Sequence, residues 1–289
     1  MRRDSKFSPW YFLIVPLALY AIWVIIPALY TFYLSLTEYD GLIDPEFIGL
    51  ENYRRLFTDD IFYTALFNNL RWVIVFLVIP VVLGLFLAIA LNKKVPGSKA
   101  FKAIIYSPMV LAPVVIGLIW TWIYSPRSGL LNHTLTMAGL GGLTRGWLSD
   151  PQVATYAIIA AGVWRHTGYV MLIYLAGLTS VSPTLIEAAK IDGASPWQRF
   201  RHVIFPLLKP TTTIVVVITM IESLRAFDFV NIMTDGGPYR TTEVLANFMY
   251  KEAFGSYNMG YGAAIAVILF LIMAGFIFLY VYQVRKERR

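Results

Sequence analysis

Three charged residues, Glu222, Arg225 and Asp228, recur at three-residue intervals inside the mainly apolar run from Leu207 to Phe229. A fourth, Arg165, sits beside His166 in a second apolar run, Val153 to Leu178. Carboxylates and guanidinium groups at this spacing have two uses. On one helix, Arg225 can bridge both acids and neutralise them. Alternatively, the group can offer acceptors and donors to a polar solute. The two uses are compatible, and residue type alone leaves both open. A charge within a membrane-length apolar segment is costly, so it faces a cavity or a partner. Arg165, Glu222, Arg225 and Asp228 are therefore the candidate residues of a polar path, near its external half.

Other chemistry finds little support. The chain has no cysteine, which excludes a disulfide framework, a thiolate nucleophile and an iron–sulfur ligand set. His133, His166 and His202 fall in three separate segments and do not make a metal site; His202 reads as an exposed or packing residue. No serine has a nucleophile-elbow context. The phosphate-cradling pattern G-x-x-x-x-G-K-[ST] is missing, and "TDGGPYRTT" has glycines without its lysine. No catalytic residue, metal site or cofactor is assigned to this chain.

The elements that must position the charges are membrane helices. Of 289 residues, 58% are hydrophobic, the mean hydropathy is +0.63, and 14% are charged, against roughly 25% in a soluble domain. About 20 apolar residues cross a bilayer. Six segments qualify, at about 10–36, 70–91, 103–124, 153–178, 207–229 and 261–284. The fold class is all-α, an integral membrane bundle of six helices. The first apolar stretch is too long for a signal peptide's core and is expected to be retained as a helix.

Charge sorting agrees with six. The two tails and the loops at 92–102 and 179–209 hold 15 basic and 4 acidic residues, net +11; the opposite side holds 7 basic and 11 acidic, net −4. The excess of Lys and Arg marks the cytoplasmic face, which takes both termini. The overall +7 is membrane topology, not a nucleic-acid footprint. The expected divisions are 1–65 (tail, first helix, external loop), 66–284 (membrane core) and 285–289 (cytoplasmic tail).

One cytoplasmic segment, "VSPTLIEAAKIDGASPWQRFRHVIFPLLKP" at 181–210, carries more punctuation than a simple turn needs. Ser182-Pro183 opens a helix, and Gly193 closes it. Ser195-Pro196 opens a second, with Gln198 at capping-box spacing; Pro206 ends or kinks it. The product is a helix, a tight glycine turn and a helix: a stiff projection after the fourth span.

The residues of this segment resemble the EAA loop of permease subunits of bacterial binding-protein-dependent ABC importers. Glu187-Ala188-Ala189, Asp192-Gly193-Ala194, Ile204 and Pro206 match that pattern. "FIGLENYRRLF", "GVWRHTGYVMLIYLAGLTSVSPTLIEAA" and "FDFVNIMTDGGPYRTTEVLANFMYKEAF" resemble the first permease of maltose-type sugar importers. The resemblance implies that the loop is a coupling element docking on a cytoplasmic ATPase. Glu187 would meet polar or basic groups there, Ala188 and Ala189 would allow close approach, and Gly193 would permit the turn. Trp197 and Phe200 would pack the lever to its base. It further implies a second, different permease, an ATPase dimer that carries ATP and magnesium, and an external substrate-binding protein. The implied cargo is a sugar or oligosaccharide, with glycerol phosphate or another polyol as the rival. A stand-alone secondary transporter is the alternative of another class; it commonly shows paired halves, which this sequence does not.

Overall fold

The computed structural model describes residues 10–92 and 96–287. Several residues of the charge argument, among them Arg2, Arg3, Lys6, Lys93, Lys94, Arg288 and Arg289, lie outside the described residues. The chain forms two compact units, one made of residues up to Asp59 with Phe248–Leu271, the other of Asp60–Asn247 with the segment from Ile272.

In the first unit, α1 (Trp10–Tyr20) runs through a π-helical turn, Ala21–Ile25, into α2 (Ile26–Leu34). No residue of the apolar span Phe12–Leu34 is buried within the chain, as expected of a helix whose solvent is lipid. Two short strands follow, β1 (Thr37–Glu38) and β2 (Glu46–Phe47), antiparallel with Thr37 opposite Phe47. The turn between them is fastened by the Asp40 carboxylate, which accepts from the amides of Leu42 and Ile43 at 2.8 and 3.0 Å. Helix α3 (Glu51–Leu56) packs back through buried Asn52, which donates to the carbonyls of Ser35 and Thr37. Tyr261 then donates to Asp59 at 2.8 Å under the Arg55 guanidinium, 4.1 Å from the ring centre.

The second unit is helical throughout. Its core pair is α4 (Asp60–Leu91) against α8 (Ala154–Thr179). Helix α4 has 32 residues, about 48 Å at 1.5 Å each. It begins ten residues before the apolar run, so part of the expected external loop is helix. Buried Asn68 donates to the carbonyls of Thr241 and Glu243 at 2.7 and 2.9 Å, and Asn69 accepts from the Leu245 amide at 2.9 Å. These bonds tie the start of α4 to the "DGGPYR" turn, where Asp235 and Gly236 take positive φ. A short helix, α14 (Leu245–Tyr250), follows that turn. The last long helix, Met259–Glu287 (α15), continues the apolar run to the C-terminal side.

Among the described residues, four unbroken helices are long and apolar enough to cross a membrane, and two bent pairs raise the number to six if each is one crossing. The first bend corrects the sequence reading of 103–124 as a plain span; the second falls at Leu208, at the start of 207–229. In the first, α5 (Ser98–Val110) and α6 (Pro113–Ile123) meet at 102°. Pro113 pushes the residue before it out of the helical region, and Leu111 and Ala112 are extended, with ψ of 144° and 143°. In the second, Pro196–Leu207 and Lys209–Met233 meet at 69°. Within the latter, α12 (Lys209–Leu224) stops at Arg225, and α13 (Phe227–Met233) starts afresh.

Candidate functional site: a polar membrane cavity and a capped cytoplasmic loop

A helix break at Arg225 divides the charged triplet. Arg225 has φ −96° and ψ 32°, and its amide bonds to the Glu222 carbonyl three residues back. Glu222 and Asp228 therefore stand on different helices, not on one ladder. No ion pair joins Glu222, Arg225, Asp228 or Arg165 among the described residues. Ion pairing of Arg225 with both acids, one of the two uses left open by residue type, is not seen in this arrangement. Glu222 lies 13 residues, about 20 Å, along α12 from its start at Lys209.

All four charged residues line one cavity of about 180 Å³. Arg165 and His166 reach it from α8, Glu222 from α12, Arg225 from the junction, and Asp228 from α13. Arg165 is 9% exposed, and its Nε donates to the Leu111 carbonyl at 3.4 Å. That carbonyl is free because the α5–α6 break removes its helical partner. A proline-made break and a cation on the facing helix thus supply each other's polar contacts.

The cavity lining is also aromatic, a feature that was not legible in the sequence. Trp72 and Phe76, one turn apart on α4, lie 5.1 Å ring to ring, and Phe229 of α13 lies 6.2 Å from Trp72. Gly162 of α8 lets these rings press in, since a Cβ there would fall 2.9 Å from both Trp72 and Phe76. His166 stacks on Phe76 at 5.5 Å and shares a hydrogen bond with Thr219 at 2.9 Å. Sequence reasoning passed over His166 because it asked only whether the three histidines could share a metal. Among the described residues no metal-ligating group of three occurs.

The cytoplasmic segment carries its expected punctuation. Helix α9 (Pro183–Ile191) ends at Asp192, and Gly193 follows at φ +79°. A Cβ at Gly193 would touch nothing within 4 Å, so the requirement there is backbone freedom, not space. Ser195 and Gln198 form the reciprocal capping box that starts α10 (Pro196–Arg199). Ser182 starts α9 without a side-chain cap to the backbone; its hydroxyl pairs with Thr184. The helix passes Pro206 instead of stopping there. A π-helical turn, Phe200–Ile204, precedes α11 (Phe205–Leu207), and the bend falls at Leu208. Glu187 and Ala188 are exposed, and Ala189 and Ala194 half-buried. Trp197 is 67% exposed and lies 5.4 Å from Phe200, so it presents a face outward.

Residues 80–289 match the family described as binding-protein-dependent transport system inner membrane component. The chain belongs to this family. A probable ABC transporter permease protein of Pyrococcus horikoshii is 43% identical over 94% of this chain and 93% of its own length. The trehalose/maltose transport system permease protein MalF of Thermococcus litoralis is 33% identical, over 99% and 96%. In fold, the chain is similar to one from a bacterial ABC transporter involved in the import of the acidic polysaccharide alginate. That match has a TM-score of 0.85 and 22% identity, over 97% of this chain and 96% of the other. The chain is thus an ABC-importer permease of the sugar-type group.

Proposed function

We propose that this permease moves a neutral sugar or oligosaccharide inward through the cavity bounded by Arg165, Glu222, Arg225 and Asp228. The observation that carries the reading is that charged residues without ion pairs and aromatic rings line the same cavity. Guanidinium groups donate and carboxylates accept, which suits a ring bearing hydroxyls on its edge. Trp72, Phe76 and Phe229 offer apolar surface to its C–H face. Glycerol phosphate is the weaker fit: its anion would meet Arg165 and Arg225 but also two carboxylates. The MalF relative, named for trehalose and maltose transport, supports the same substrate class.

The rest of the assembly follows the family. A second, different permease completes the path. An external binding protein delivers cargo, and a cytoplasmic ATPase dimer holds the ATP and magnesium. The loop with Glu187, Ala188, Ala189, Asp192, Gly193 and Ala194 docks on that ATPase, with Trp197, Phe200 and Pro206 shaping the lever. Both termini are cytoplasmic, in a prokaryotic cytoplasmic membrane. The test is ATP-dependent uptake by the reconstituted assembly, using labelled maltose, trehalose, lactose and glycerol phosphate. Sugar uptake that needs both permeases is the expected result. Uptake of glycerol phosphate alone, or uptake without ATP, would replace the proposal.

A further inference from the structure

His166 is 1% exposed, yet only one of its ring nitrogens has a partner. Nε2 shares the 2.9 Å bond with the Thr219 hydroxyl, while Nδ1 is buried with none. A buried, unsatisfied polar atom costs about 1–3 kcal/mol, so its place needs a reason. The ring also lines the cavity, wedged between Phe76, stacked at 5.5 Å, and Tyr169 at 5.8 Å. Thr219 is itself fully buried. Phe76, Tyr169 and Thr219 together fix the ring's position, and in the neutral ring Nδ1 takes the role opposite to the one Nε2 plays toward the Thr219 hydroxyl.

We infer that His166 is a specificity-determining residue, whose Nδ1 makes a hydrogen bond to one hydroxyl of the transported sugar, with Thr219 as the residue that positions the ring. The inference rests on the cavity being the sugar path. The unsatisfied nitrogen gains its partner only when cargo enters. A sugar lacking that one hydroxyl leaves Nδ1 unpaired and is disfavoured. The charged residues around the cavity can accept or donate at several positions, but one nitrogen of a pinned ring reads a single position.

The experiment uses the reconstituted assembly and competition for uptake. The best-transported of maltose, trehalose, lactose and D-glucose is compared with its monodeoxy analogues. In the unaltered protein, one analogue should be disfavoured roughly 3- to 10-fold beyond the others, the scale of one hydrogen bond. His166→Gln keeps a polar group near Nε2 and loses the one at Nδ1, so that single discrimination should vanish while the others persist. His166→Asn places its amide near Nδ1 and should retain it. If the Gln variant does not assemble, Thr219→Val carries the test and should blunt the same discrimination. Identical analogue preferences in the unaltered protein, His166→Gln and Thr219→Val would overturn the inference and leave the sugar path standing. Failure of the unaltered assembly to carry any of the four sugars would overturn the sugar path first, and this inference with it.

Discussion

The cavity and the cytoplasmic loop are built on opposite principles. The loop is stabilised by neighbours in sequence: Ser195 and Gln198 cap each other, Gly193 turns the chain, and Arg199 Nη1 donates to the Ala194 carbonyl at 2.8 Å. The cavity is assembled from α4, the α5–α6 break, α8 and the α12–α13 break. Its supports span large sequence distances, such as His166 with Thr219, or Asn68 with Thr241 and Glu243. A locally specified lever keeps its form whatever the bundle does. A cavity made from broken helices is free to change when its helices shift. That division suits a machine in which one part transmits force and another changes access.

The comparison can be broken most severely at Gly193. Gly193→Val should leave the protein inserted in the membrane while lowering uptake roughly 30-fold, because a left-handed backbone costs a side-chain-bearing residue about 1–2 kcal/mol or more. Co-purification of the ATPase should fall in parallel, and Glu187→Lys should act in the same direction. Unchanged uptake and unchanged ATPase recovery in both variants would remove the lever role from this loop.

Glu222→Gln should weaken uptake of the preferred sugar about tenfold, the difference between a charged and a neutral hydrogen bond. Its melting temperature should stay near that of the unaltered complex, since no ion pair is broken. A clear drop in melting temperature with normal specific activity would mean that Glu222 serves structure instead.

Two stability variants sharpen the contrast. Asn68→Ala strands two buried carbonyls and should cost about 2–3 kcal/mol, read as a lower melting temperature of the whole complex. Ser195→Ala loses one helix cap, about 1 kcal/mol, and should loosen only the amides near 195–199 in hydrogen exchange. A global effect from Ser195→Ala would show that the loop is not self-contained.

How much of this was legible in the sequence follows the same division. Gly193, Ser195 and Gln198 were readable because their partners are three or four residues away. The charged positions were also readable, since Arg165, Glu222, Arg225 and Asp228 interrupt apolar runs. Their arrangement was not, because nothing in "IESLRAFDF" announces a helix break at Arg225. Pro113 did announce one, yet the run 103–124 is apolar enough to pass for an unbroken span. The aromatic lining was hidden because Trp72, Phe76 and Phe229 look like ordinary members of apolar helices. Only tertiary packing turns them toward the charges.

The smallest expected effect lies at the external turn. Hydrogen bonds from the Ile43 and Leu42 amides hold the Asp40 carboxyl below its ordinary value of 3.8. A depressed folded value means this contribution is present above pH about 4 and is lost as pH falls through the lowered value. The amides of Leu42 and Ile43 should therefore lose protection from hydrogen exchange only at strongly acid pH. In Asp40→Asn that acid-dependent loss should disappear. Loss that begins well above the ordinary aspartate range would contradict the turn's assignment to this carboxylate.

The most direct test of the account is the selectivity ratio for two sugars, taken on reconstituted complexes carrying either Glu222→Gln or Gly193→Val. On the proposal that the cavity chooses and the loop transmits, Glu222→Gln should change the ratio, whereas Gly193→Val should lower both uptakes equally and leave the ratio at its original value. A ratio altered by Gly193→Val, or untouched by Glu222→Gln while uptake falls, would contradict the separation of choice from coupling.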